Sequence, residues 1–277
     1  MVNGDKPLVT AKHSDDLKTV LDRLSQFNVI SLPVVNDEGQ MIGAISVLDI
    51  VVYMTWGANN ITQFRSLSMR ARDIIGFWAT SKHESAVFDE TVPLSSLLEP
   101  FSQGAHRILV HSVSTPSKYS VLSQSDVVRH IFKHRESVAA VLSQTLEQLG
   151  IAPKAVASIA PGLTTVAAFR SLVEKKVAAV AIVDQASTIQ GTLSGSDLRG
   201  LTQEQMKSFY LPVSEYLKAK HGGERTAIVV TLQNTLEEAM QLIVSYKIHR
   251  VWIVSDLSSK KVIGCLSLTD IINVFNN

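Results

Sequence analysis

Four Ser-x-x-Asp segments recur along the chain: Gly43-Ala-Ile-Ser46-Val-Leu-Asp49, Ser120-Val-Leu-Ser123-Gln-Ser-Asp126, Gly191-Thr-Leu-Ser194-Gly-Ser-Asp197 and Gly264-Cys-Leu-Ser267-Leu-Thr-Asp270. In each, a strand ending in Ser enters a helix, so the Ser falls near the N-cap and the Asp in the first turn. Free backbone N–H groups and the helix dipole draw negative charge there. One use of the pair is local: a capping box, in which Ser and the acidic residue three positions on satisfy those amides. A second use is chemical. A carboxylate so placed can accept bonds from both hydroxyls of a ribose, while the helix N-terminus faces phosphate.

His106-Arg107 and His249-Arg250 form a second recurring pair, each lying where a helix gives way to a strand. Arg is suited to bidentate contact with phosphate, and His adds a pH-sensitive donor. Adjacent strand residues point to opposite faces, so only one of each pair faces a pocket unless the backbone turns there. The plainer alternative is a solvated Arg beside a partly packed His.

The elements that position these residues repeat as well. The aspartates lie 77, 71 and 73 residues apart, a spacing too long for ordinary solenoid units and right for small α/β modules. An amphipathic helix precedes each, with apolar residues at i, i+3, i+4 and i+7: Leu17, Val20, Leu21 and Leu24; Leu94, Leu97, Leu98 and Phe101; Leu236, Ala239, Met240 and Ile243. Repeat three is looser, with Val166, Phe169 and Val173. A β-rich run, a turn and a second strand then lead into the Ser-x-x-Asp and a second helix. Each unit is therefore α-β-β-α, led in by an extended segment such as Leu8-Val-Thr10 or Ile228-Val-Val-Thr231. A sheet this small does not close a core alone, so the units are expected to pair face to face. Residues 58–90 and 200–225 are the long connections within pairs. Residues 137–157 join the pairs, with Gln144 to Gly150 predicted helical.

This pattern resembles the cystathionine-β-synthase (CBS) motif, whose tandem pairs form Bateman modules. Four copies with little else resemble the γ regulatory subunits of AMP-activated and sucrose-non-fermenting-related protein kinases. The resemblance rests on Ile248-His249-Arg250-Val-Trp-Ile-Val254 with Val262-Ile-Gly-Cys-Leu-Ser-Leu-Thr-Asp270, and on Ala105-His106-Arg107-Ile-Leu-Val110 with Lys118-Tyr-Ser-Val-Leu-Ser123. It covers nearly the whole length. The fold class it implies is α/β, built of α+β CBS units: repeat 1 at 1–57, repeat 2 at 84–138, repeat 3 at 152–203 and repeat 4 at 224–277. These pair into modules 1–140 and 141–277, packed as a disc. By the same resemblance Asp49, Asp126, Asp197 and Asp270 hold ribose, and Ser46, Ser123, Ser194 and Ser267 lie close to ribose or phosphate. His106, Arg107, His249 and Arg250 hold phosphate at the centre.

The function this implies is a non-catalytic, energy-sensing regulatory subunit with AMP, ADP and ATP as ligands and no catalytic cofactor. Its partners would be the catalytic and scaffold subunits of a protein kinase. The alternative is a nucleotide-independent four-CBS scaffold, or a protein phosphatase regulator like the four-CBS stress proteins of fungi. Two departures from the mammalian γ pattern stand out. Asp126 is present where that pattern lacks a ribose aspartate, and repeats one and three carry Ile30-Ser31 and Ala178-Ala179 in place of His-Arg.

Composition narrows the remaining classes. The 277 residues carry 26 Lys+Arg against 25 Asp+Glu, a net charge of +1, so no cationic excess exists to line a nucleic-acid groove. Hydrophobic residues reach 45% and charged ones only 18%, which excludes a disordered chain. One cysteine, Cys265, makes no internal disulfide and reads as a small core residue. The start, Met1-Val-Asn-Gly-Asp-Lys6, lacks the apolar core of a secretory signal, and the apolar run Met41 to Met54 is broken by Asp49 and too short for a bilayer. The expected location is therefore intracellular, cytoplasmic with the nucleus also open to it, and no membrane partner is expected. No P-loop, G-x-S-x-G or G-x-G-x-x-G occurs. His130 and His134, at i and i+4, lack a third ligand in sequence, so no metal is expected. Arg65, Arg70 and Arg72 read as a solvated connection. Trp56, Trp78 and Phe209-Tyr210 are aromatics that face either a partner or their own module.

Overall fold

The computed structural model describes residues 8–55, 67–76, 87–115, 119–151, 153–202 and 204–276. Trp56, Trp78, Arg65, Lys118 and most of the 58–90 connection lie outside these residues.

Repeat 1 runs β1 (Ala11–Lys12), α1 (Leu17–Gln26), β2 (Ser31–Val35), β3 (Met41–Ser46) and α2 (Val47–Thr55). Helix α1 forms where expected because Asp16 caps it, its side chain accepting from Thr19 N at 2.8 Å. Its stripe Leu17, Val20, Leu21 and Leu24 is buried. The other repeats follow the same order. Repeat 2 has β4 (Val87–Asp89), α3 (Leu98–Ser102), β5 (Arg107–His111), β6 (Tyr119–Ser123) and α4 (Gln124–Lys133), followed by the short α5 (Ala139–Leu142). Repeat 3 has β7 (Ser158–Ile159), α6 (Thr165–Glu174), β8 (Ala179–Val183) and β9 (Ile189–Ser194), and α7 (Val213–His221) follows it. Repeat 4 has β10 (Val229–Val230), α8 (Leu236–Tyr246), β11 (Arg250–Val254), β12 (Val262–Ser267) and α9 (Leu268–Asn276).

Each repeat thus owns a three-stranded sheet whose lead-in strand pairs parallel to the second, which pairs antiparallel to the third. The lead-in strand of repeat 4, β10, falls inside Ile228 to Thr231 as expected, whereas in repeat 1 β1 begins at Ala11, just past Leu8-Val-Thr10.

Three expectations need correction. After Ser194, repeat 3 makes only a single 3-10 turn, Gly195–Leu198, where the other repeats make a second helix. Gly195 and Gly200, the latter at φ +71°, bracket the segment and disfavour helical propagation. The first helix of repeat 2 is a 3-10 turn, Leu94–Leu97, followed by the five-residue α3 with Pro100 inside it. Gln144 to Gly150 is not helical. Thr145 forms an isolated bridge with Thr235, and Leu146 N donates to Asn234 O at 2.9 Å.

Burial follows two kinds of contact. Sheets face each other between repeats 3 and 4, with Ala181 and Ile189 buried against Trp252 and Val254. Helices pack in a different pairing. One core joins repeat 1 to repeat 3, bringing Leu17, Val51 and Met54 together with Phe169, Leu198 and Phe209. The other joins repeat 2 to repeat 4, through Phe101 and Val127 with Met240 and Ile272. Phe209 is buried, its ring 5.5 Å from Phe169 and 5.7 Å from Tyr216, whereas Tyr210 is exposed.

Candidate functional site

The two sequence motifs meet because of strand register. In each sheet the Ser of Ser-x-x-Asp ends the third strand and lies opposite the first residue of the second strand: Ser46 opposite Ser31, Ser123 opposite Arg107, Ser194 opposite Ala179 and Ser267 opposite Arg250. Arg107 and Arg250 therefore sit across the ladder from the caps of α4 and α9. His106 and His249 precede the strands, and their carbonyls accept from Gln124 N and Leu268 N at 3.1 Å each. Helix α8 ends at Lys247 in left-handed backbone (φ 53°), so the chain turns just before His249 and Arg250. That turn lets both residues line one cavity.

All four aspartates cap as a local reading predicts. One oxygen, Oδ2, accepts from the N–H and hydroxyl of its own Ser, with N···O distances of 2.7 Å at Asp49, 2.9 Å at Asp126, 2.7 Å at Asp197 and 2.8 Å at Asp270. Capping occupies one oxygen only. At three sites the other, Oδ1, accepts from a basic side chain: Arg129 at Asp126, His221 Nε2 at 2.9 Å from Asp197, and Lys154 Nζ at 3.0 Å from Asp270. Asp49 and Asp197 are buried, and Asp126 and Asp270 half-buried. His221 and Lys154 had no motif to reveal them. His221 ends α7, outside the repeats, and Lys154 lies in the inter-pair connection 116 residues before its partner.

Two cavities adjoin these groups. The larger, about 1210 Å³, lies between repeats 3 and 4 and is lined by Ser194, Asp197, Arg199, His221, His249 and Arg250 among others. The smaller, about 400 Å³, lies between repeats 1 and 2, lined by Ile30, Ser31, Arg107, Ser123, Asp126 and Arg199 among others. Both are large enough for a small organic ligand. Asp49 and Asp270 line neither.

The cations converge. Burial, and then the charges of Arg107, His249 and Arg250, push the His106 imidazole down to about 4. Burial, followed by Arg250, Arg199, Arg107 and Arg129, pushes His249 down to about 4 as well. The effect is firmer at half-buried His106, because water reaching the exposed His249 ring restores part of its solvation. Among the described residues no carboxylate lies within ion-pair distance of Arg199 or Arg250. The arginines gathered there repel one another beside two neutral imidazoles, and an anion joining them relieves that repulsion.

Cys265 is half-buried on β12, and burial raises its thiol above the ordinary range, which suits a packed, unreactive residue. His134 Nδ1 lies 2.9 Å from the His130 carbonyl, and among the described residues no three His, Cys, Asp or Glu side chains gather as a metal site. Among them, too, no helix is long and apolar enough to cross a membrane.

Comparison with known proteins agrees with this architecture. The CBS domain model matches residues 4–55 and 224–277, within the first and last repeats. The SNF1-related protein kinase regulatory subunit gamma-like PV42a of Arabidopsis thaliana is 26% identical over 83% of this chain and 74% of its own length. Its counterpart PV42b is 22% identical over 85% and 75%. Protein SDS23 of Candida albicans is 25% identical over 60% of this chain and 28% of its own. Among solved structures, protein MJ1225 of Methanocaldococcus jannaschii, a proposed archaeal homologue of γ-AMPK, superposes with a TM-score of 0.74 at 16% identity, covering 98% of this chain and 97% of that one.

Proposed function

We propose, from the premise that this chain is a four-CBS-repeat protein resembling the γ regulatory subunits of SNF1-related and AMP-activated protein kinases, that it binds adenine nucleotides between paired repeats and thereby regulates a protein kinase. The observation that carries the reading is that Arg107, His249 and Arg250 line two cavities, each of which also presents one capped aspartate. In this reading Asp126 and Asp197 take ribose hydroxyls on the side not used by Ser123 and Ser194. The arginines Arg107 and Arg250 take phosphate, with His106 and His249 beside them. The protein itself is non-catalytic, and its partners are the catalytic and scaffold subunits of the kinase. It acts as an energy sensor only if AMP, ADP and ATP differ in affinity between its partner-bound states.

A second reading has its own observation. Because Arg129, His221 and Lys154 already hold the free oxygen of three aspartates, the pockets can be kept for shape in a nucleotide-independent scaffold. Calorimetric titration of the full chain with AMP, ADP and ATP separates the two. Binding that weakens in both Asp197→Ala and Arg250→Ala supports the nucleotide reading. Absence of binding at millimolar nucleotide favours the scaffold.

A further inference from the structure

In three repeats the second residue after the Ser-x-x-Asp aspartate is apolar and buried within a helix: Val51 at 1%, Val128 at 1% and Ile272 at 0% exposure. Repeat 3 carries Arg199 at that place, and it is exposed. The missing helix explains how a charge is tolerated there. The chain leaves its single 3-10 turn at Arg199 in extended backbone (φ −60°, ψ 133°), so the side chain does not enter the helical core. The main chain is nevertheless pinned. Tyr216 Oη donates to the Asp197 carbonyl at 2.9 Å, and Lys220 Nζ donates to the carbonyl of Arg199.

Arg199 lines both cavities. The smaller one is otherwise built from residues of repeats 1 and 2, from Leu8 to Asp126, and Arg199 is its one described lining residue from the second half of the chain. Repeat 1 has Ile30-Ser31 where repeats 2 and 4 have His-Arg, so that cavity has one cation fewer from its own pair of repeats. A guanidinium offers five donors in a fork suited to phosphate.

We propose that Arg199 of repeat 3 is a phosphate ligand of the cavity between repeats 1 and 2, replacing the cation that repeat 1 lacks and coupling that cavity to the one holding Asp197. The ligand class is the phosphate chain of a nucleoside phosphate whose ribose lies at Asp126. The proposal rests on the nucleotide reading above. Its added content is the coupling: Asp197 lines only the larger cavity, while Arg199, two residues on along one pinned turn, lines both. A ligand that shifts the turn at Asp197 re-aims Arg199, and by linkage the reverse effect has the same size.

The test is calorimetric titration of the full chain with ATP and, separately, with adenosine. Asp197→Asn weakens the larger cavity so that the smaller can be followed. In that background Arg199→Ala should lower ATP affinity at least about tenfold, the scale of a lost charge-assisted hydrogen bond, and leave adenosine affinity unchanged. Arg199→Lys should restore part of the ATP affinity. With Asp197 intact, ATP binding at one cavity should change affinity at the other, and Arg199→Ala should abolish that dependence. Unchanged ATP affinity in Arg199→Ala, or an equal loss for ATP and adenosine, overturns the role of Arg199 while leaving the nucleotide reading in place. Failure of the unaltered protein to bind ATP overturns both.

Discussion

The central histidines make a prediction that can be worked numerically. His106 sits near 4, held down by burial and by neighbouring cations, against an ordinary value of 6.5. At pH 6 its ring is therefore almost wholly neutral. A phosphate group joining the cluster adds negative charge beside the ring and raises the imidazole. If the ring returns to its ordinary value, binding at pH 6 takes up roughly 0.7 proton at His106 alone. The sign follows directly: the complex holds more protons than the free protein between the two values, so affinity rises as pH falls from 6.5 towards 4. Stability of the ligand-free protein moves the other way. A depressed histidine contributes fully above 6.5, and that contribution is lost as pH falls through the same window. The assay is titration calorimetry with ATP at pH 6 in two buffers of different ionisation enthalpy, repeated with His106→Asn. ATP's own proton release is common to both proteins, so the difference isolates the histidine. Equal proton uptake by the two proteins would refute the electrostatic account of the cluster.

Other expectations are simpler to check. Lys154→Ala removes the partner of Asp270 Oδ1; because the pair is partly exposed, urea unfolding should shift by no more than about 1 kcal/mol, and a larger loss would show that the pair holds the repeats together. Phe169→Ala removes a fully buried ring from the core shared by repeats 1 and 3 and should cost about 3–5 kcal/mol in urea unfolding. Ser123→Ala removes the cap of α4 and should cost about 1 kcal/mol by the same measurement, a loss that Ser123→Thr largely recovers.

What could be read from sequence was whatever depends on residues close together in the chain. Helix α1 is legible because one stripe, Leu17 to Leu24, and one cap, Asp16, specify it. The four capping pairs are legible for the same reason, as they close within three residues. Repeat 3 escaped because glycine at 195 and 200 outweighs an otherwise repeated pattern. The basic partners of the aspartates escaped for a different reason. His221 and Lys154 meet Asp197 and Asp270 only after the repeats have packed, and their own neighbours in sequence carry no periodic signal. The helix pairing of repeats 1 with 3 and 2 with 4 was hidden likewise, since amphipathic stripes declare that a face is buried without naming what covers it.

That crossed pairing bears on how the chain matures. As the polypeptide leaves the ribosome, α1 and α2 emerge with apolar faces whose covering residues, Phe169 to Tyr216, are still more than a hundred positions from synthesis. The faces of α3 and α4 likewise wait more than a hundred residues for α8 and α9. Vectorial synthesis therefore leaves the apolar faces of repeats 1 and 2 uncovered until repeats 3 and 4 have been made. A stop placed before repeat 4 should yield a chaperone-bound chain rather than a shorter working protein, because the faces of α3 and α4 then have no cover.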